Sequence, residues 1–264
     1  MFDRPRTAVV ITCYNDGEFL DESLGSALDV QIDSVDIADV SILIADDGST
    51  ERRTVAVLDR LERRSIRVLK LPHRGLGTTR NEGIRCANAD WFVPLDADNR
   101  LRHDFMRRLL PEALGRQDCA MTYGDAMRFG QCGGKWQMGP TDVEGLWRNN
   151  HIDACALIRT ASWESVGGYN EHLRGLEDWD LWLKFLENGM DLHYVPGIAF
   201  EYRTRQNSLI NARLSRFFTN RVTPLSERGI VAVVASKIGT CAGCGATGES
   251  LCPCRKRVTN VVAS

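Results

Sequence analysis

Apolar and polar positions alternate in blocks through the first hundred residues, and the blocks change period as they go. A β-branched, mostly apolar run at 7–13 predicts a buried strand. Asp16 then offers an N-cap ahead of Phe19, Leu20, Leu24, Ala27 and Leu28, which recur at helical spacing. A second strand is predicted at 40–45 before a helix over 50–64. A third at 66–71 leads through 73–77 into a helix ending near Asn88. A fourth at 91–95 is followed by a helix over 104–114.

Strands separated by helices imply βαβ units, hence an α/β fold with a mostly parallel, Rossmann-like sheet flanked by helices and right-handed crossovers. Ligands of such sheets bind beyond the carboxyl ends of the strands. Here the polar clusters Tyr14-Asn15-Asp16, Asp46-Asp47-Gly48-Ser49 and Asp96-Ala97-Asp98 each follow directly on a strand, so all three are expected on one sheet edge.

After residue 118 the pattern loosens. Residues 119–123 read as a strand, and 128–138, with Gly133-Gly134 inside, as a hairpin or flap. Residues 178–188 read as a helix closed by Gly189 at C′, and short strands are expected at 193–195 and 199–202. The expected division is a domain over 1–214, with a nucleotide-binding half at about 1–118 and an acceptor half at about 119–214. A Cys-rich appendage over 215–264 follows.

Composition narrows the function. A net charge of -2 argues against a dedicated nucleic-acid binder, and 43% hydrophobic content suits a globular core. The longest uninterrupted apolar run, 230–235, is strand-sized, whereas a spanning helix needs roughly 20 residues. The N-terminal apolar run is too short for a signal peptide. The expectation is a cytoplasmic protein without a transmembrane segment, peripheral contact with a membrane being left open.

Asp96 and Asp98 place two carboxylates on one tight turn after a buried strand. Mg²⁺ or Mn²⁺ takes one or two carboxylates together with substrate phosphates, so the pair is a candidate site for a metal that neutralises a diphosphate leaving group. A lone D-x-D pattern is common in loops; its setting gives it weight.

That setting is an ordered series. The run 8–15 (Ala-Val-Val-Ile-Thr-Cys-Tyr-Asn), then 46–50 (Asp-Asp-Gly-Ser-Thr), 77–83 (Gly-Thr-Thr-Arg-Asn-Glu-Gly), 95–98 (Leu-Asp-Ala-Asp), 166–171 (Val-Gly-Gly-Tyr-Asn-Glu) and 175–182 (Gly-Leu-Glu-Asp-Trp-Asp-Leu-Trp) resembles the family 2 glycosyltransferases of the GT-A fold over about residues 7–210. The resemblance implies an inverting transfer of a sugar from a nucleoside-diphosphate donor, UDP being favoured, to a glycan, lipid-linked or other hydroxyl acceptor. It implies that Tyr14 and Asn15 frame the nucleotide, that Asp47 reads the base, and that Arg80 approaches the base or phosphates, a solvated charge at the exposed start of its helix being the ordinary alternative. It further implies Asp98 as principal metal ligand, Asp96 as ribose or metal contact, and Asp178 as the base that takes the acceptor's proton. Capping of a following helix by Tyr14 and Asn15, and a dipole-complementing role for an acidic first turn at 177–178, are the ordinary alternatives. Asp180 is the weaker base candidate. Trp179, Trp182 and Phe185 are core candidates, one tryptophan being a possible sugar platform.

The chain departs from the family pattern at 202–208 (Tyr-Arg-Thr-Arg-Gln-Asn-Ser), where Arg205 stands in place of a histidine. A guanidinium does not ligate a cation but clamps a phosphate bidentately. The Gln-x-x-Arg-Trp motif of processive members is missing from the sequence, which favours single addition. The nucleotidyltransferase class is the first alternative, although the Gly-rich basic loop expected of it after the first strand is not present. A catalytically silent sugar-nucleotide-binding or scaffold protein is the second.

Nine cysteines fall into two groups. Cys13, Cys86, Cys119, Cys132 and Cys155 are scattered, as reduced thiols in a protein body are. Cys241, Cys244, Cys252 and Cys254 lie within fourteen positions among glycines, and suit a structural Zn²⁺ site. Disulfides or unligated thiols are the alternatives.

Overall fold

The protein is described from a computed structural model over residues 4–205. Its first half runs β1 (Arg6–Cys13), α1 (Leu20–Asp33), β2 (Asp39–Asp46), α2 (Arg52–Arg63), β3 (Arg67–Lys70), α3 (Leu76–Ala87) and β4 (Trp91–Asp96). The second half follows with β5 (Arg100–Leu101), α4 (Phe105–Leu114), β6 (Cys119–Gly130), β7 (Gly134–Trp136), α5 (Val143–Arg148), β8 (Leu157–Arg159), α6 (Thr160–Ser165), α7 (Glu177–Glu187) and β9 (Asp191–Thr204).

One sheet joins them in the order β3-β2-β1-β4-β8-β6-β9-β5, with β7 paired to β6. Strands β1 to β4 are mutually parallel, as the alternation of strands and helices demands. Beyond β4 the sheet becomes mixed: β8 runs antiparallel to β4 and β6, whereas β9 is parallel to β6. β1 is buried from Thr7 to Cys13 because helices cover both faces, which is why its apolar run is nearly continuous.

The parallel register fixes the site. Cys13 lies opposite Asp46, and Thr12 opposite both Ala45 and Asp96, so the turns leaving β1, β2 and β4 emerge together, as expected. The backbone N–H groups of Asp47 and Ala97 donate to the carbonyls of Cys13 and Thr12, pinning the first residue of two of those turns. Helix α3 lies close on this sheet. A Cβ at Gly83 would sit 2.6 Å from Val10 Cγ1 and 3.2 Å from Ala45 Cβ, so only glycine permits the approach.

Three expectations change. Asp16 does not cap α1: the helix begins at Leu20 without a side-chain cap, and Asp16 is turned toward Arg205. The strands expected at 193–195 and 199–202 are one strand, β9, whose register with β6 shifts around Tyr123 and Asp125, so that Pro196 and Gly197 are absorbed in a bulge. The hairpin at 128–138 forms between β6 and β7, but β6 itself continues to Gly130. Gly189, φ 71°, follows the end of α7 as anticipated.

Cys13, Cys119, Cys132 and Cys155 are buried thiols. Burial pushes Cys13 up to about 12 and Cys119 to about 11, which leaves both protonated and unreactive. Among the described residues no helix is long and apolar enough to cross a membrane. The expected zinc set, Cys241, Cys244, Cys252 and Cys254, lies outside the described residues, as does the whole appendage.

Candidate active site

At the end of β1, Tyr14 is 40% exposed and stacks on His73 with ring centroids 4.2 Å apart and planes 18° from parallel. Asn15, at φ 56°, adopts the left-handed conformation that asparagine tolerates. Its side-chain oxygen accepts the backbone N–H groups of Thr50 (2.8 Å) and Glu51 (2.9 Å), so it braces the entry to α2 rather than the helix that follows it. Asp47, buried at the end of β2, accepts N–H bonds from Arg74 (2.8 Å) and Gly75 (3.0 and 3.1 Å). Its Oδ2 also lies 2.9 Å from His73 Nδ1. The carboxylate thus holds the 73–75 loop in place beside the Tyr14–His73 stack.

At the turn after β4, Asp96 Oδ1 accepts from Arg80 Nη2 (2.9 Å) and Thr12 Oγ1 (3.2 Å). Asp98 Oδ2 faces Arg205 Nε at 2.8 Å, and the two terminal nitrogens of Arg205 reach Asp16 Oδ1 and Oδ2 at 2.6 and 2.9 Å. Arg203 donates to the backbone carbonyl of Asp98 (3.0 Å) and to Glu22 (2.8 Å), so the end of β9 wraps the metal-candidate turn. Burial pushes the Asp98 carboxyl up to about 6; Arg205 pulls it back, while Asp96 and Asp16 add to the rise.

Arg80 is not at an exposed helix start. It is 2% exposed, on the face of α3 that lies over the sheet, and its guanidinium also donates from Nη1 to Glu177 Oε1 at 2.7 Å. Burial opposes its charge, but Asp96 and Glu177 more than compensate and hold it protonated. The expected approach of Arg80 to base or phosphates is replaced by a double ion pair beneath the site.

Glu177 and Asp178 open α7, one residue earlier than the sequence suggests. The preceding Leu176 is held at φ 61°, a strained conformation for a non-glycine residue of the kind found at functional sites. Asp178 Oδ2 accepts Asn150 Nδ2 at 3.0 Å, and Oδ1 accepts the Trp179 N–H at 2.8 Å. Burial pushes its carboxyl up to about 7, Glu177 adding to the rise and Arg80 opposing it. Asp180 is buried against Lys184 (2.8 Å) and is not directed to this pair. Trp182 is fully buried with its N–H on the Ile152 carbonyl, and Trp179 donates to Leu146, so both tryptophans are core and neither is a sugar platform.

Sequence reasoning missed Asp16, Asn150, Asp153, His73 and the ion pair of Glu177. Asp153 precedes β8, which is antiparallel to β4 with Phe92 opposite Ile158. Continuing that antiparallel register would carry 152–154 alongside the 96–98 turn, with Asp153 level with Ala97. Burial pushes Asp153 up to about 7, with Asp96 next in effect. The signal available in the sequence was slight: a single aspartate in an otherwise apolar stretch, 152–158.

The donor set suits a divalent cation of the Mg²⁺ or Mn²⁺ type. Among the described residues no three or more His, Cys, Asp or Glu side chains form a closed ligand cage. Asp98 nevertheless presents a desolvated carboxylate whose charge is answered by a cation, with Asp96 on the same turn. Two carboxylates completed by substrate phosphates is the ligand set those metals use.

Comparison with known proteins gives the family and the fold. Residues 8–163 match the family model described as Glycosyl transferase family 2. A chondroitin synthase of Pasteurella multocida (strain Pm70) is 24% identical over 195 residues, covering 72% of this chain and 20% of that protein. A hyaluronan synthase of Pasteurella multocida gives the same identity, with 72% and 19% covered, so the chain spans about a fifth of either relative. Among solved structures, the mannosyltransferase PcManGT from Pyrobaculum calidifontis, in complex with GDP-Man and Mn²⁺, superposes with a TM-score of 0.61. It is 17% identical, with 81% of this chain and 61% of that one covered. S. aureus TarS 1–349 in complex with UDP-GlcNAc gives 0.61 at 15% identity, covering 83% and 62%. These likenesses establish the GT-A fold. Since the family match extends over more than half of the 264 residues, the protein belongs to glycosyl transferase family 2 and is a glycosyltransferase.

Proposed function

We propose that the enzyme transfers a sugar from a nucleoside-diphosphate donor, a UDP-sugar, to an acceptor hydroxyl by inverting single displacement. The observation that carries this reading is that Arg80 bonds both the turn that bears Asp98, through Asp96, and the start of α7 that bears Asp178, through Glu177. The complexes of PcManGT with GDP-Man and Mn²⁺ and of TarS with UDP-GlcNAc support it.

In this reading Tyr14, exposed on its His73 stack, packs against the base or ribose, and Asn15 shapes the backbone beside it. Asp47 takes the imide N–H of the base by exchanging it for His73, whose side chain is half exposed. Asp98, with Asp96, holds Mg²⁺ or Mn²⁺, or Asp96 takes the ribose hydroxyls instead. The metal, when bound, supplies positive charge to the diphosphate as the glycosidic C–O bond breaks. Arg205, whose Nε faces Asp98 and whose terminal nitrogens pair with Asp16, would turn its fork from Asp16 to the phosphates. Asp178 accepts the acceptor's proton as the hydroxyl oxygen attacks the anomeric carbon; the electron pair of the broken bond leaves with the nucleoside diphosphate. The acceptor is a glycan, lipid-linked or other hydroxyl compound. Zinc in the appendage and peripheral membrane contact remain part of the proposal for the full chain.

A panel of nucleotide sugars, incubated with the protein and Mn²⁺, tests the reading. Slow metal-dependent hydrolysis of a UDP-sugar is expected. Failure of every nucleotide sugar to bind or hydrolyse would refute it.

A further inference from the structure

The ion pairs of Arg80 join parts of the chain that have little else in common. Asp96 belongs to the donor-side turn, sixteen residues away, and Glu177 to the first turn of α7, ninety-seven residues away. The two contacts come from different nitrogens of one planar fork, so the guanidinium sets both the distance and the angle between the two carboxylates. Nothing of Arg80 is offered to a ligand, because the side chain is buried beneath the site.

The next residue repeats the pattern. Asn81 donates to the Tyr169 carbonyl (2.9 Å) and accepts the Tyr169 N–H (2.9 Å), and its amide also donates to Glu171 (3.0 Å). Thr78 donates to the same Glu171 at 3.2 Å. Helix α3 therefore holds the donor-side sheet by close packing at Gly83, and the segments before and at the start of α7 by buried polar bonds.

We infer that Arg80 is a positioning residue: it fixes the spacing between the donor-side turn of Asp96 and Asp98 and the helix end that carries Asp178, without touching the donor. The inference rests on the glycosyl-transfer reading. In an in-line displacement the base-bearing side and the leaving-group side must face each other across the anomeric carbon, and a misplacement of about 1 Å costs about 10²-fold in rate. A lysine preserves the charge but offers one ammonium in place of a fork.

The test uses the full chain with Mn²⁺ and the UDP-sugar found active in the panel. Arg80→Lys is expected to lower kcat about 10²-fold while leaving the KM for donor and the calorimetric affinity for UDP near wild type. The charge-balanced double variant Arg80→Gln/Glu177→Gln, which removes both charges of the buried pair together, is measured in parallel. It is expected to show the same split, and it decides the question if Arg80→Lys does not fold. UDP affinity falling in step with kcat/KM would overturn the inference and make Arg80 a donor contact. A lowered melting temperature with unchanged kcat would overturn it in favour of a merely structural role. Wild-type protein that neither binds UDP nor turns over donor refutes the glycosyl-transfer reading itself, and the role of Arg80 falls with it; wild-type turnover with unaffected variants refutes only Arg80.

Discussion

The turn after β4 and the start of α7 each bury a carboxylate, and they answer its charge differently. Asp98 meets a guanidinium at 2.8 Å, whereas the two oxygens of Asp178 meet an amide and a backbone N–H. Both carboxyls are pushed up by burial, to about 6 and about 7. A buried carboxylate held against a cation has part of its desolvation offset by that charge, and is suited to a cation's place. One held by neutral donors sits near its own titration point at physiological pH, which suits a group that must take up a proton and give it back. In the proposed reaction the division of labour would follow from the partners rather than from the carboxylates.

The largest effect is expected from removing the proton acceptor. Asp178→Asn keeps the carbonyl that accepts Asn150 or Trp179, and is expected to lower transfer about 10²–10⁴-fold, measured as UDP release with acceptor present. The same variant sharpens the comparison through stability. Because the folded carboxyl titrates above its unfolded value near 3.8, ionisation costs the folded state stability, a loss that grows as pH rises toward about 7. Asp178→Asn is therefore expected to melt higher than wild type at pH 8, with the gain shrinking toward pH 5. Equal melting temperatures at pH 8 would remove the claim that this carboxylate is strained by burial.

A smaller effect is expected from pH alone. The base acts only when deprotonated, so kcat/KM should fall about 10-fold per unit below a limb near pH 7 rather than near 4. A flat profile down to pH 5 would assign the base elsewhere, and not to Asp153, whose carboxyl burial also pushes up to about 7. The smallest effect belongs to Arg205. Arg205→Met removes one phosphate clamp while Asp98 keeps its metal, so a loss of about 10-fold in kcat is expected, from one charge-assisted contact of about 1.5 kcal/mol. A metal requirement that vanishes in this variant would contradict the separate roles proposed for Arg205 and for the carboxylates of the 96–98 turn.

The parallel half of the fold was legible because β1, β2 and β4 are mostly apolar runs that end in polar residues, and the ends of β2 and β4 carry Asp47, Asp96 and Asp98. The acceptor half was legible at α7, at the start of β6 and at its hairpin with β7, and in two pieces at β9. Three-residue β8 and six-residue α5 and α6 are too short to establish a period, and Pro196-Gly197 reads as a break although β9 continues through it. Asp16 reads as a cap because its partner, Arg205, lies 189 positions away. Arg80 reads as a surface charge for the same reason: a helix shows its own periodicity, but not that a buried glutamate ninety-seven residues on will meet it. Buried ion pairs between distant segments leave no local trace.

Isothermal titration of UDP in the presence of Mn²⁺, into Asp98→Ala and Asp178→Asn side by side, compares the two carboxylates most directly. Asp98→Ala is expected to lose metal-dependent UDP binding, and Asp178→Asn to bind UDP as wild type does. UDP binding that is indifferent to Mn²⁺ and to Asp98→Ala, or lost equally in both variants, would contradict the division between a metal-holding donor side and a proton-accepting acceptor side.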